Sequence, residues 1–224
     1  MTPAELIVGL DDRFQLLSGG RRRQRQRTLE ATLDWSYQLL NAEQQRVFRA
    51  LGVFVGGFDL AAVAAVAQLG RPAALDTVEA LVAKSLVVRA DRGSSTRFTL
   101  LETLRSYTED RLAQAGEAAH VRGLHAAHFH TLASASGRSI LADVRLGERL
   151  AGDRSNLTAA FEWLTAADQW VPAGELLLGS VAAYDGHGHA LEAVALFDSC
   201  IGPVSDRTAN WPTSSAARSS MPSC

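Results

Sequence analysis

The residues best suited to binding chemistry are five arginines within seven positions: Arg21, Arg22, Arg23, Arg25 and Arg27. A guanidinium group can hold a phosphate through two parallel hydrogen bonds, so this run could contact DNA, RNA or a nucleotide on a neighbouring domain. The run also contains no apolar residue, which is typical of a solvated linker between domains. We favour the linker and keep the phosphate contact as the alternative.

A group of histidines offers the second candidate chemistry. His125 and His128 lie one helical turn apart, a spacing that metal ligands use, and further histidines are close by in the sequence. No cysteine or second ligand pair accompanies them, and both follow the apolar stripe of Val121, Phe129 and Leu132. We therefore predict partly buried histidines with satisfied hydrogen bonds rather than a metal site.

Motifs of catalysis are missing from these 224 residues. No Ser-His-Asp, Cys-His or paired-carboxylate arrangement occurs in a motif context. No Gly-x-x-x-x-Gly-Lys-Ser/Thr loop is present to hold a nucleotide phosphate, and Cys200 and Cys224 have neither disulfide nor metal-ligand spacing. We expect a protein that is not an enzyme and that holds no cofactor.

Composition narrows the classes of partner. The formal net charge of −2 gives no overall attraction to nucleic acid or anionic lipid, so DNA binding would need a local patch and is expected to be weak. No stretch approaches the roughly 18 consecutive apolar residues of a membrane span, and the N-terminus has no secretory signal. We expect a cytoplasmic protein without a membrane partner.

The elements that position these residues begin with two helices. Apolar residues recur at helical intervals from Leu29 to Leu40, and Asn41 with Gln44 predicts a capping box at the start of the next helix. Trp35 and Tyr37 could stack on a nucleic-acid base, but aromatic residues at helical spacing usually fill a core. We predict core positions for both.

The following segment has the order helix, turn, helix and hairpin that is typical of a winged helix-turn-helix. We predict a short strand at Val53–Val55, a helix at Leu60–Leu69 that is capped by Asp59 and ended by Gly70 and Pro72, a helix at Ala73–Lys84, and strands at Leu86–Arg89 and Arg97–Leu101.

The second of these helices would be the one that reads DNA. Its apolar pattern turns four residues inward: Leu75, Val78, Leu81 and Val82. The predicted outer face carries Asp76, Thr77, Glu79, Ala80 and Ala83, with Lys84 at its end. A helix that reads bases needs basic or amide side chains, and two carboxylates would repel the phosphate backbone. We therefore predict that this helix packs against protein.

From Glu102 onward the pattern is helical. The predicted helices are Glu102–Ala115, Glu117–Ala135, Ile140–Leu150, Asn156–Ala167, Gly174–Tyr184 and Ala190–Asp198. The predicted fold class is mostly α, with a winged helix-turn-helix and its β-hairpin wing followed by an α-solenoid or tetratricopeptide-like helical segment. The predicted domains are a helical stub with the basic linker at 1–27, the winged helix at 28–115, the helical repeats at 116–200 and a disordered tail at 201–224.

Short motifs across residues 2–165 resemble one family. They are Pro3-Ala4-Glu5-Leu6, Leu10-Asp11-Asp12-Arg13-Phe14, Leu16-Leu17-Ser18-Gly19-Gly20, Thr28-Leu29, Leu33-Asp34-Trp35-Ser36-Tyr37-Gln38-Leu39-Leu40, Val53-Phe54-Val55-Gly56-Gly57-Phe58, Leu81-Val82-Ala83-Lys84-Ser85-Leu86-Val87 and Arg97-Phe98-Thr99-Leu100-Leu101-Glu102-Thr103-Leu104-Arg105. The chain thereby resembles the NB-ARC-like STAND ATPases (signal transduction ATPases with numerous domains), in the branch related to bacterial LuxR-type and antibiotic-regulatory transcription factors. That resemblance implies an order of nucleotide-binding domain, helical domain, winged helix and sensory helical repeats, of which this chain would begin late in the helical domain and lack the ATPase part.

The resemblance also marks individual positions. They are Trp35, Ser36, Tyr37, Leu101, Glu102 and Arg105. Related eukaryotic members carry Met-His-Asp after the wing, where the histidine senses a diphosphate, and the matching residues here are Leu100, Leu101 and Glu102. A leucine cannot donate a hydrogen bond to phosphate, so we predict that Leu101 packs the wing against the helix that follows.

These patterns predict a non-catalytic regulatory and interaction module of a STAND-type transcriptional regulator. Its expected partner is another protein or a neighbouring nucleotide-binding domain. A free-standing winged-helix DNA-binding regulator is the first alternative, and a truncated remnant without independent function is the second.

Overall fold

A computed structural model describes residues 30–92, 95–137 and 149–185 of the protein. In chain order its elements are α1 (30–38), α2 (Ala42–Ala50), a 3-10 turn (Leu51–Val53), α3 (Leu60–Val66), α4 (Arg71–Ala83), β1 (Val88–Arg92), β2 (Ser95–Thr99), α5 (Glu102–Gln114), α6 (Ala118–Gly137), α7 (149–152), α8 (Arg154–Ala166) and α9 (Trp170–Asp185). The chain forms two compact units that divide within α6, between Leu124 and His125.

Side-chain caps fix where α2 and α3 begin. Asn41 accepts a hydrogen bond from the Gln44 amide (2.9 Å), and the Gln44 side chain accepts one from the Asn41 amide (3.3 Å). Asp59 accepts a bond from the Ala62 amide at the start of α3 (2.8 Å). These bonds satisfy amides that a helix leaves unpaired at its first turn, and they confirm both predicted caps.

The region between α2 and α3 differs from the prediction. Val53 ends the 3-10 turn, and Phe54 is extended but belongs to no strand. Val53 and Phe54 are buried in the core, Val55 is 38% exposed, and the backbone pairing falls instead on Phe58, which bridges to Phe98 in β2. The predicted strand at Val53–Val55 was therefore wrong.

The turn between α3 and α4 also lies earlier than predicted. α3 ends at Val66, and Gln68 takes a positive φ of 51°, which stops the helix before Leu69. Gly70 caps the start of α4 and Pro72 lies in its first turn, where a missing amide hydrogen costs nothing. Gly70 and Pro72 thus begin the second helix rather than end the first.

The hairpin after α4 is antiparallel and pairs Val88 with Thr99 through to Arg92 with Ser95. Its first strand begins two residues later than predicted, because Leu86 and Val87 are buried in the core before the ladder starts. The second strand ends at Thr99, so Leu101 lies outside it.

The core of the first unit joins helices to the hairpin. Its most deeply buried members include Phe48, Leu51, Phe58, Val63, Val78, Leu81, Phe98 and Leu112. α5 packs on α2 and on the 3-10 turn. The approach is close enough that a Cβ on Gly52 would lie 2.7 Å from Thr108 Oγ1 and 2.9 Å from the Glu109 amide nitrogen. Only glycine fits there without movement of α5.

The second unit contains the later part of α6 together with α7, α8 and α9. Its buried residues include Phe129, Ala133, Leu157, Phe161, Leu164, Leu176 and Leu177. α8 and α9 pack as neighbouring helices joined by a short turn in which Asp168 has a positive φ of 60°. α9 begins four residues earlier than predicted because Pro172 is tolerated in its first turn. The predicted helix at Ala190–Asp198, and most of the one at Ile140–Leu150, lie outside the described residues.

Within the described ranges, no helix combines the length and hydropathy needed to cross a bilayer.

Candidate nucleic-acid interface

The outer face of α4 is the surface on which a helix-turn-helix would read DNA. The buried stripe of α4 is Ala74, Thr77, Val78 and Leu81, with steps of three, one and three residues. This stripe leaves Leu75 37% exposed and Thr77 only 7% exposed. The predictions that Leu75 faces inward and that Thr77 faces outward were therefore wrong. The inward face of α4 is centred on Ala74 and Val78 and not on Leu75 and Val82. The Thr77 hydroxyl is satisfied by donating to the Ala73 carbonyl (2.8 Å).

The charges on this face are unfavourable for phosphate. Asp76 and Glu79 are exposed one turn apart, and the basic residues Arg71 and Lys84 stand at opposite ends of the helix. Direct reading of base edges relies mainly on Arg, Lys, Asn and Gln side chains, which are absent from the middle of the exposed face. This surface therefore suits a partner that can pair with the carboxylates of Asp76 and Glu79 and cover the apolar side chain of Leu75.

The hairpin carries basic residues on both strands, Arg89 and Arg92 in β1 and Arg97 in β2. Arg89 is exposed and donates from Nη2 to the Thr96 hydroxyl across the ladder (3.3 Å). Phosphate binding in helix-turn-helix complexes draws on several basic contacts, and the wing is the part of this domain that could supply them.

Trp35 and Tyr37 do not share an environment. Trp35 is 64% exposed, whereas the Tyr37 ring lies 6.4 Å from Phe48 and 6.0 Å from Tyr107. Two residues along an α-helix differ by about 200° in direction, so both cannot face one core. The core prediction is wrong for Trp35, and Tyr37 is half-buried with its ring against these aromatic residues. The third motif residue of this segment, Ser36, donates its hydroxyl to the Thr32 carbonyl (3.0 Å).

Tyr37 is held by a charged pair that sequence reasoning missed. Arg49 donates from Nη1 to the Tyr37 hydroxyl (2.7 Å) and makes a bidentate pair with Glu117, at 3.0 and 2.9 Å. The hydrogen bonds to Glu117 raise the pKa of Arg49 above its usual value. This pair ties α2 to the turn between α5 and α6.

A second network joins α1 to α5. The Tyr107 hydroxyl donates to Asp34 Oδ1 (2.8 Å), and Arg111 pairs with the same carboxylate while its guanidinium lies 5.1 Å from the Tyr107 ring centre. The hydrogen bond from Tyr107, with that from Arg111, lowers the pKa of Asp34. Burial, with the bond to Asp34, raises the pKa of Tyr107 to about 12. The partners are more than 70 residues apart in the sequence, so no local spacing could have indicated the network.

The motif positions at the start of α5 lie on the surface. Leu101 is the N-cap residue of α5 and is 56% exposed, so the prediction that it packs the wing against α5 was wrong. The strand ends at Thr99, and the turn into α5 directs Leu101 outward. Arg105 pairs with Glu102 (2.6 Å) and with Glu109 (3.0 Å), which lowers the pKa of Glu102. Glu102 and Glu109 therefore both form ion pairs within α5.

The histidine prediction is confirmed for His125. Its side chain is 3% exposed and lies 3.4 Å from Asn156 Oδ1, and Asn156 donates in turn to Asp153 (3.2 Å). Burial lowers the pKa of His125 to about 4, so it is neutral near pH 7. Among the described residues, no three His, Cys, Asp or Glu side chains are grouped so as to hold a metal ion. The arginine run at 21–27 lies outside the described residues.

Comparison with known proteins identifies the region that contains α2 to α5. A family model described as a winged helix-turn-helix domain matches residues 40–113. Residues 40–113 form a winged helix-turn-helix domain. The mostly helical fold with a two-stranded antiparallel wing confirms the predicted fold class, with α4 as the second helix of the motif and β1–β2 as the wing.

Relatives extend the match beyond the winged helix. Proteins of Mycobacterium tuberculosis and Mycobacterium bovis, each named as a predicted HTH-type transcriptional regulator, are 41% identical over 207 residues, which is 90% of this chain and 23% of theirs. An uncharacterised protein of M. tuberculosis is 33% identical over 135 residues, or 58% of this chain and 34% of its own length. The chain therefore spans about a quarter of the length of the regulators that it matches. No solved structure matches the chain.

Proposed function

We propose that this chain is a regulatory module of a transcriptional regulator, in which the winged helix contacts protein rather than reading a DNA sequence. The similarity to mycobacterial proteins named as HTH-type regulators supports the transcriptional setting. The motifs shared with STAND-type regulators support the finer assignment, in which the partner is a nucleotide-binding domain or another protein surface.

The exposed carboxylates of α4 carry the proposal. Asp76 and Glu79 occupy the middle of the face that would enter the major groove, where they would approach phosphate and base acceptors. Like-charge contacts at an interface disfavour a partner, and opposite charges favour one. The face therefore selects against DNA and suits a protein surface with basic side chains around an apolar contact for Leu75.

A DNA-binding regulator is the second candidate function. The winged helix-turn-helix match and the names of the relatives favour it, because this domain type binds DNA in many regulators. In this candidate, Arg89 of the wing and Lys84 would supply the contacts to phosphate.

Titration of a labelled mixed-sequence duplex with the full chain, followed by fluorescence anisotropy, separates the two. The proposal predicts only weak, non-specific binding, with a Kd on the order of 10⁻⁴–10⁻⁶ M at physiological salt. The double variant D76N/E79Q should bind a few-fold more tightly, because two repulsive charges are removed. The variant E43Q/E162Q, with the same change in net charge at exposed sites outside α4, is the matched control. Binding near 10⁻⁸ M by the parent chain would contradict the proposal.

A further inference from the structure

We draw no further inference here: the strongest candidate, the apolar patch of Val171 and Leu178 on the exposed face of α9, carries none because nothing in the described part of the chain shows what covers it.

Discussion

Leu101 occupies a position of the family motif but does not pack in the core. It follows the wing and precedes α5, but its side chain is mostly exposed, whereas Leu104, three residues later, is buried. In the STAND-type proteins that the motifs of this chain resemble, a nucleotide-sensing histidine stands at the position of Leu101. An exposed leucine at that position is compatible with a surface that a neighbouring domain could cover.

Leu101→Ala should leave the free energy of unfolding within about 0.5 kcal/mol of the parent, because little buried surface is lost. Leu104→Ala, the matched core variant, should lower it by about 2–5 kcal/mol through a cavity in the core. Urea unfolding of the two variants measures both values. Equal losses would show that Leu101 is part of the core.

His125 gives the second unit a predicted pH dependence. Its pKa is lowered to about 4 in the folded state, from 6.5 for an exposed histidine, so the unfolded chain binds the proton first as the pH falls. The stability contributed by the neutral imidazole is complete above about pH 6.5, and roughly 3 kcal/mol is lost between there and pH 4. The imidazole of His125 contacts Asn156, which donates in turn to Asp153, and His128 is the charged neighbour that also lowers the pKa of His125.

His125→Gln should flatten that pH dependence, and His120→Gln, at an exposed histidine, should retain it. Urea titrations between pH 4 and 7, followed by tryptophan fluorescence, provide the comparison. An unchanged pH profile in His125→Gln would show that another group is responsible.

At the scale of elements, close helix packing explains why glycine cannot be replaced at two positions of the described chain, Gly52 and Gly179. Gly52 meets α5, and on α9 a Cβ at Gly179 would lie 2.2 Å from the Ala133 carbonyl oxygen of α6. Gly174 on the same helix α9 has no neighbour within 4 Å of its Cβ position. The two α9 glycines therefore form a matched pair.

Gly179→Ala should destabilise the second unit by about 1–3 kcal/mol, because helix backbones must separate. Gly174→Ala should stabilise it by up to about 1 kcal/mol, since alanine favours a helix and meets nothing. Thermal unfolding of both variants decides the point. A loss of stability in Gly174→Ala as large as that in Gly179→Ala would contradict the packing described for α9.

Element type was predictable wherever a local pattern determined it. The caps at Asn41 and Asp59 and the long stripes of α5 and α6 depend on neighbours three or four residues away, and the sequence contains that information. The strand at Val53–Val55 was wrong because Val53 ends a 3-10 turn and the backbone pairing falls on Phe58 instead. The predicted inward face of α4 was wrong because Ala74 and Thr77 are small enough to lie against the core. A pattern of large apolar residues does not indicate such positions.

The candidate site was less predictable than the elements. Arg49 with Glu117, and Asp34 with Tyr107 and Arg111, meet only after α1, α2 and α5 have packed. Asp76 and Glu79 were recognised because exposure of a charged helix face follows from the same pattern that buries its opposite side. The sequence therefore indicated the character of the α4 surface but not the polar network behind it.

At the scale of the whole molecule, the chain contains a winged helix and a helical second unit, and it spans about a quarter of the length of the regulators that it matches. The acidic outer face of α4, with Asp76 and Glu79 exposed, disfavours the DNA backbone. We propose that this winged helix works through protein contacts.

Selection of duplexes from a random-sequence pool by the full chain, at physiological salt, tests this proposal. Repeated rounds should enrich no sequence, because α4 presents Asp76 and Glu79 where a reading helix presents donors to the bases. Recovery of one motif, bound near 10⁻⁸ M and lost in the exposed α4 variant Lys84→Ala, would contradict it.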